Sequence, residues 1–328
     1  MAQKVLVTGG TGFTGGHLCR RLAELGHQVR ALARSPGKAM SLASAGIDIV
    51  PGDLKDKDSL LNAASGCDAV YHIAATYRQE GVPEREFWDV NVNGTENMLE
   101  AAARCGVSRF VHCSTVGVHG HIAHPPADES APYSPGDVYQ ETKLAGEKLA
   151  LNYFRTKGLS GVVFRPTGIY GPGDTRFLKL FRYIKSGRFH MIGSGEVSYH
   201  LTYIDDLVDG IILCGTKREA LGNIYILGGE RAMTLNELAG TIAEILGVNL
   251  SRLRIPFAPV YAAAFVCEKL CKPFGIEPPL YRRRVDFFRK ERSFDISKAR
   301  WELGYNPKIS PQEGLKRTAE WYVRNGLM

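Results

Sequence analysis

Short apolar runs alternate with longer stretches of helical periodicity through the first half of the chain. The runs at 4–8, 28–33, 47–51, 69–73, 109–114 and 161–165 have the length of strands. Between them, 13–25, 59–64, 86–105 and 138–157 repeat their apolar positions at helical spacing, and Gly26 stops the first of these. Strands alternating with helices predict βαβ units and a mostly parallel sheet with helices on both faces. After Arg165 the rhythm changes. A turn-rich stretch at 168–174 leads to a helix at 177–185, a strand at 200–203, a helix at 205–214, a strand at 223–227 and a helix at 234–246. A proline-punctuated segment at 256–279 and two helical patterns, 295–303 and 311–325, close the chain.

The 328 residues are 44% hydrophobic and 23% charged, the ordinary globular range, and they suffice for a core without staples. The seven cysteines are odd in number and scattered, with no CxxC pair. That argues against a disulfide framework or a metal site and fits a reducing compartment. The first strand begins at Lys4, too early for a signal peptide, and no apolar run reaches membrane-spanning length, so a cytoplasmic location is expected. A net charge of +7 would suit an anionic ligand, an acidic membrane surface or simply a basic solvated exterior. The basic residues are local and lack a recognised nucleic-acid module, so no nucleic-acid partner is expected.

Candidate chemistry begins where the first strand meets the first helix. Gly9, Gly12 and Gly15 stand in Thr8-Gly9-Gly10-Thr11-Gly12-Phe13-Thr14-Gly15. The first allows a sharp turn, the second lets backbone approach a pyrophosphate, and the third lets the helix pack on the sheet, with its N-terminus toward the anion. Asp53 follows the third strand and is placed to accept from an adenine amino group; capping a helix over 54–58 is an equal alternative. Ala74 and Ala75 end the fourth strand with side chains small enough to lie under a cofactor. At the end of the second strand, Arg34 and Ser35 replace the acidic residue that would bind ribose hydroxyls. This leans toward NADP, with NAD still open and Arg34 as a plain surface charge the alternative.

Tyr139 and Lys143 lie four apart, on one helical face. A phenol is a poor base at neutral pH, and a nearby ammonium would lower its pKa. Thr115, after the fifth strand, offers a hydroxyl to a substrate oxygen. The expected step is proton transfer through Tyr139 coupled to hydride transfer at a nicotinamide.

These residues resemble the extended short-chain dehydrogenase/reductase superfamily, in its NAD-dependent epimerase/dehydratase group. The resemblance runs from about residue 4 to 322. It rests on the glycine turn, Gly52-Asp53-Leu54, Asn91-Val92-Asn93-Gly94-Thr95, Ser114-Thr115, Tyr139 to Lys143, Arg165 to Gly173, Tyr203-Ile204-Asp205-Asp206 and Asp295 to Ala299 with Leu303-Gly304-Tyr305. It implies a Rossmann-like doubly wound parallel sheet over 1–170, with 200–227 returning to it. A smaller, interleaved C-terminal α/β lobe over 171–199 and 228–328 would take the substrate. It implies catalysis by Thr115, Tyr139 and Lys143. It implies cofactor contacts at Gly9, Gly12, Phe13, Thr14, Gly15, Arg34, Asp53, Leu54, Ala74, Ala75, Asn91, Ser114, Pro166 and Ile169, and substrate contacts at Thr76, Gly168, Tyr199 and Arg284. A homodimer through the two long helices is also implied.

The resemblance has departures. Dehydratases of the group carry Asp-Glu after the catalytic threonine, where this chain has Val116-Gly117, which argues against water elimination by that route. Many nucleotide-sugar epimerases have asparagine where Gly168 stands and arginine near Ser198-Tyr199-His200. Arg165 to Gly173 and the segment 255–270 also resemble the 3β-hydroxysteroid dehydrogenase and hopanoid-associated epimerase-like branches, and within that segment 257–270 is an apolar, aromatic-bearing stretch. It could line a greasy pocket or touch a membrane, while the core of the small lobe is the favoured reading. Arg282-Arg283-Arg284 and Arg289-Lys290-Glu291-Arg292 could grip a diphosphate or form a solvated face. The leading expectation is an NAD(P)-dependent nucleotide-sugar epimerase acting through a keto intermediate. The alternatives are a dehydrogenase or reductase of a hydrophobic secondary alcohol or ketone, and a non-catalytic NAD(P)-sensing protein.

Overall fold

The computed structural model describes residues 2–78, 81–274 and 278–328, so part of the expected 256–279 segment lies outside the described residues. In chain order the first half carries β1 (Lys4–Thr8), α1 (Phe13–Glu24), β2 (Gln28–Ala33), α2 (Met40–Ala43), β3 (Asp48–Pro51), α3 (Lys57–Ala64), β4 (Ala69–His72), α4 (Glu84–Trp88), α5 (Gly94–Arg104), β5 (Arg109–Cys113), α6 (Val138–Thr156) and β6 (Gly161–Pro166). The second half carries β7 (Gly168–Tyr170), α7 (Leu178–Lys185), β8 (Met191–Ile192), β9 (Ser198–Tyr203), α8 (Ile204–Thr216), β10 (Ile224–Leu227), β11 (Ala232–Thr234), α9 (Leu235–Leu246), β12 (Arg254–Ile255), α10 (Phe257–Cys271), α11 (Arg282–Val285) and α12 (Pro311–Arg324).

Seven parallel strands form one sheet in the order β10-β6-β5-β4-β1-β2-β3. The order reverses beside β1, which pairs with both β2 and β4. That reversal opens a crevice at the carboxyl ends of the strands, where open α/β sheets bind ligands. Helices cover both faces, so the central strands read as continuous apolar runs. Val5 and Val7 of β1 pack with Leu18 and Leu22 of α1 and Ile211 of α8, while Leu6 packs with Leu60 of α3 and Met98 of α5. A three-stranded sheet, β11-β9-β7, and a two-stranded one, β12-β8, build the smaller lobe beside the crevice. Within 200–227, β10 joins the large sheet and α8 packs on α1, whereas β9 belongs to the small sheet. Among the described residues no helix is long and apolar enough to cross a membrane, and all seven thiols are free.

Local expectations differ from the structure in four places. The single helix expected over 86–105 is α4 and α5 joined through a wide π turn at Asp89–Asn93. Its cause is the polar work of Asn91, described below. Helix α3 starts at Lys57 because Asp56, not Asp53, caps it through the amides of Asp58 and Ser59. The helical pattern at 295–303 is largely a short π turn, Ala299–Leu303, ended by Gly304 at φ +71°. Helix α10 is not the core of the small lobe. Its apolar residues fall on all sides while α11 is its main packing partner, so Ala264 is buried and Phe265, Val266 and Leu270 stay exposed.

Candidate active site

A groove of about 1580 Å³ runs along the crevice from the β1–α1 turn to the small lobe. At one end the glycines shape it. Gly9 has φ +74°, and a Cβ there would lie 2.8 Å from the Ala74 nitrogen. A Cβ on Gly15 would strike the Gly9 carbonyl, whereas one on Gly12 would meet little except the Gly9 oxygen at 3.2 Å. The Gly12 backbone is therefore bare toward the groove. No side chain caps α1 and no acid stands in its first turn, so its leading amides remain open to an anion. These features fit a dinucleotide pyrophosphate. Phe13, Thr14, Arg34, Asp53, Leu54, Ala74, Ala75, Thr76, Pro166, Gly168 and Ile169 line the same groove. Asp53 also accepts from the Lys55 amide at 2.9 Å, a local turn that leaves the capping of α3 to Asp56.

Asn91 is corrected. It is 1% exposed and does not line the groove. Its Oδ1 accepts from the Thr76 amide at 2.7 Å, and its Nδ2 donates to the Thr76 carbonyl and to Thr142 Oγ1. The π turn delivers this amide between the segment after β4 and α6, so it joins the two from beneath the groove. Ser114 lines the groove, yet its hydroxyl is committed elsewhere, donating to Glu147 Oε2 at 2.5 Å. A second chain of bonds underlies the site. The Ala74 amide donates to Thr8 Oγ1, which pairs with His72 Nδ1 at 2.9 Å; His72 Nε2 meets Thr95 Oγ1 at 3.0 Å, and that hydroxyl donates to the Asn91 carbonyl. This order makes His72 a neutral imidazole protonated on Nε2. Its burial, with Lys143 nearby, pushes its pKa down to about 3.

Thr115, Tyr139 and Lys143 all line the same groove. Thr115 Oγ1 accepts from the Gly117 amide at 3.0 Å, which leaves its proton to donate. Helix α6 starts at Asp137, whose Oδ1 accepts from the Gln140 amide at 2.9 Å. Its other oxygen holds Arg78 Nε at 2.7 Å, and the Arg78 guanidinium sits 5.2 Å from the Tyr139 ring centre. Tyr77 meets the same ring edge-on at 5.0 Å. The Tyr139 hydroxyl has no hydrogen-bond partner among the described residues.

Lys143 sits one helical turn after Tyr139 on α6. Its Nζ donates to the Cys113 carbonyl at 2.5 Å, and burial lowers its own pKa. Burial above all, then Tyr77 and Cys113, holds the Tyr139 phenol well above its usual value, while Arg78 and Arg176 oppose this. The phenol is thus a kept proton, and the opposing cations are two arginines that no helix or strand motif announced. Asp137 could have been read as a helix cap before Val138; Arg78 and Arg176 lie in loops with no pattern.

The expected substrate residues Thr76, Thr115, Gly168, Tyr199 and Arg284 also line the groove, and Tyr199 stands over Gly168. Its hydroxyl lies 2.8 Å from where a Gly168 Cβ would be. The basic segment is largely engaged. Arg282 pairs with Glu268 at 2.8 Å, Arg289 with Asp286 at 2.7 Å, and Arg284 stacks on Tyr281. The Arg283 side chain lies outside the described part of the structure.

A reversed-order parallel sheet, a bare glycine turn and a Thr-Tyr-Lys centre define a dinucleotide-dependent enzyme of the extended short-chain dehydrogenase/reductase class. The chain belongs to the NAD dependent epimerase/dehydratase family, whose model matches residues 5–228. It is 32% identical over 337 residues to a 3 beta-hydroxysteroid dehydrogenase/Delta 5-->4-isomerase of Mycobacterium tuberculosis, covering 98% of this chain and 90% of that one. The solved structure of gox2253 superposes with a TM-score of 0.84 at 30% identity, covering 99% of each chain. A DesIV double mutant (dTDP-glucose 4,6-dehydratase) from Streptomyces venezuelae, with NAD bound, gives 0.78 at 28% identity, covering 98% and 97%.

Proposed function

We propose that this enzyme is an NAD(P)-dependent dehydrogenase or reductase of a hydrophobic secondary alcohol or ketone, rather than the nucleotide-sugar epimerase that led the sequence expectations. The observation that carries this reading is the substrate end of the groove. Phe177, Leu180, Phe189, Ile192, Ile255, Phe287 and Phe288 line it, and Tyr199 occupies the space that an asparagine at 168 would need. The relation to a hydroxysteroid dehydrogenase over nearly the whole chain supports the same substrate chemistry.

The residues divide the work. The amides opening α1 at Gly12, Phe13 and Thr14 would hold the pyrophosphate, Asp53 and Leu54 the adenine, and Pro166 and Ile169 the nicotinamide. Arg34 is exposed just after β2 and pairs with no carboxylate within 4 Å among the described residues, so a 2′-phosphate fits there as well as a hydroxyl. When bound, the nicotinamide supplies or accepts the hydride. In reduction, Thr115 donates a hydrogen bond to the carbonyl oxygen and Tyr139 delivers its retained proton as the alkoxide forms. Lys143 holds the ribose side of the centre and, when charged, favours the phenolate left behind. In oxidation the same proton returns to Tyr139.

The test follows cofactor stoichiometry. With a 3β-hydroxysteroid such as dehydroepiandrosterone and added NAD or NADP, reduced cofactor should accumulate with turnover. Tyr139→Phe should lose about a hundredfold or more of that rate. Interconversion of UDP-glucose and its epimer without added cofactor would overturn the proposal.

A further inference from the structure

Three guanidiniums surround the reacting centre, and one differs from the others. Arg78 is paired with Asp137 at 2.7 Å, and Arg176 with Asp174 at 2.8 Å. Arg292 lines the same groove with no carboxylate within 4 Å among the described residues. The two nearest acids are occupied. Asp286 holds Arg289 at 2.7 Å and Lys290 at 3.5 Å, and Glu291 accepts from the Ser198 amide at 2.9 Å.

Arg292 is nevertheless held in place. Its amide donates to the Ser198 carbonyl at 3.0 Å, and its carbonyl accepts from the His200 amide at 2.8 Å, which fixes the backbone to the edge of β9. Its guanidinium packs 5.6 Å from the Tyr199 ring centre and 5.4 Å from that of Phe287. One 3.5 Å contact with the Phe287 carbonyl is its side-chain hydrogen bond to protein. A half-buried cation oriented between two aromatic rings, with no carboxylate beside it among the described residues, is a ready partner for an anion.

We infer that Arg292 is a specificity residue, and that the substrate is an apolar alcohol or ketone bearing a carboxylate close to the reacting carbon. The planar fork matches a carboxylate in two-point contact. The placement is set by neighbours: Tyr199 stands over Gly168, and Arg78, which feels Arg292, rests on the Tyr139 ring. The carboxylate would thus lie beside the catalytic phenol, while Phe177, Leu180 and Phe189 take the apolar body. The assignment of this carboxylate to a substrate rests on the dehydrogenase reading above.

The test is calorimetric titration of the full chain, saturated with NADH, using octanoate, octyl phosphate and 1-octanol. Octanoate should bind at least tenfold more tightly than 1-octanol. Arg292→Gln should erase that preference, and Arg292→Lys should keep part of it. Unchanged NADH affinity and melting temperature identify a folded variant. Equal binding of octanoate and octanol, a preference that survives Arg292→Gln, or tighter binding of octyl phosphate than octanoate would overturn the inference. These titrations need no turnover, so octanoate binding through Arg292 in a protein that epimerises UDP-glucose would remove the dehydrogenase reading and leave the anion site standing.

Discussion

Two buried imidazoles show how much a single residue's surroundings decide. His72 and His112 stack in the sheet with ring centres 5.6 Å apart. His72 is satisfied on both nitrogens as a neutral ring; His112 has no partner on either, among the described residues. Burial depresses both, His72 to about 3. In the unfolded chain each titrates near ~6.5. As pH falls below that value the unfolded chain takes up protons that the folded chain refuses, so stability should decline from about pH 6.5 toward 3. Thermal melts across that range check this. His112→Leu should raise stability at pH 7 by about 1–2 kcal/mol, by removing two unpaired polar atoms, and should flatten the acid decline. Asp137 is the other case. It caps α6 and holds Arg78 over Tyr139, so Asp137→Ala should cost about 1 kcal/mol of stability and lower kcat as Arg78 is released.

Elements are held in register by a second buried network. Arg165 of β6 and Glu147 of α6 are both fully buried and pair at 2.5 Å. Arg165 also donates to His119 Nε2, the Glu129 carbonyl and the Tyr133 hydroxyl, while Glu147 accepts from Ser114 and Tyr133. The end of β5, the loop before α6, and α6 itself are thereby fastened to one ion pair next to Thr115. Arg165→Leu should destabilise by about 3–5 kcal/mol, because it strands the Glu147 charge. The Arg165→Leu/Glu147→Leu double variant should recover much of that in denaturant melts, yet show reduced kcat through a loosened β5 end. Wild-type kcat in a double variant of recovered stability would deny the pair its positioning role.

At the scale of the whole molecule, the seven-stranded sheet gives the site its floor and the small lobe gives it a wall. Helix α6 also carries Ala145, Leu149 and Tyr153, half-buried and one turn apart, with Leu149 and Tyr153 at the margin of the core. A dimer packed through α5 and α6 would cover them. Light scattering should report a dimeric mass for the native chain and a monomer for Leu149→Lys. A monomeric native chain would dismiss the arrangement.

Much of this protein was legible in the order of its residues. Strand and helix periods are local consequences of side-chain spacing, and a glycine turn or a Tyr-x-x-x-Lys pair needs only neighbours in sequence to be recognised. The β1–α1 cradle, the alternating sheet and the centre formed by Thr115, Tyr139 and Lys143 belong to that class. Contacts across long separations were not legible. Asn91 looked like a ligand contact until the π turn placed its amide between Thr76 and Thr142. That Arg78 and Arg176 also bear on Tyr139 was not legible, because the pairings of distant loops, rather than spacing along α6, bring those charges to the phenol. Arg292 sat within a basic run that resembled a solvated face. Only the packing of Tyr199 and Phe287 around it, with the neighbouring acids already engaged, turns it into an uncompensated charge inside the groove.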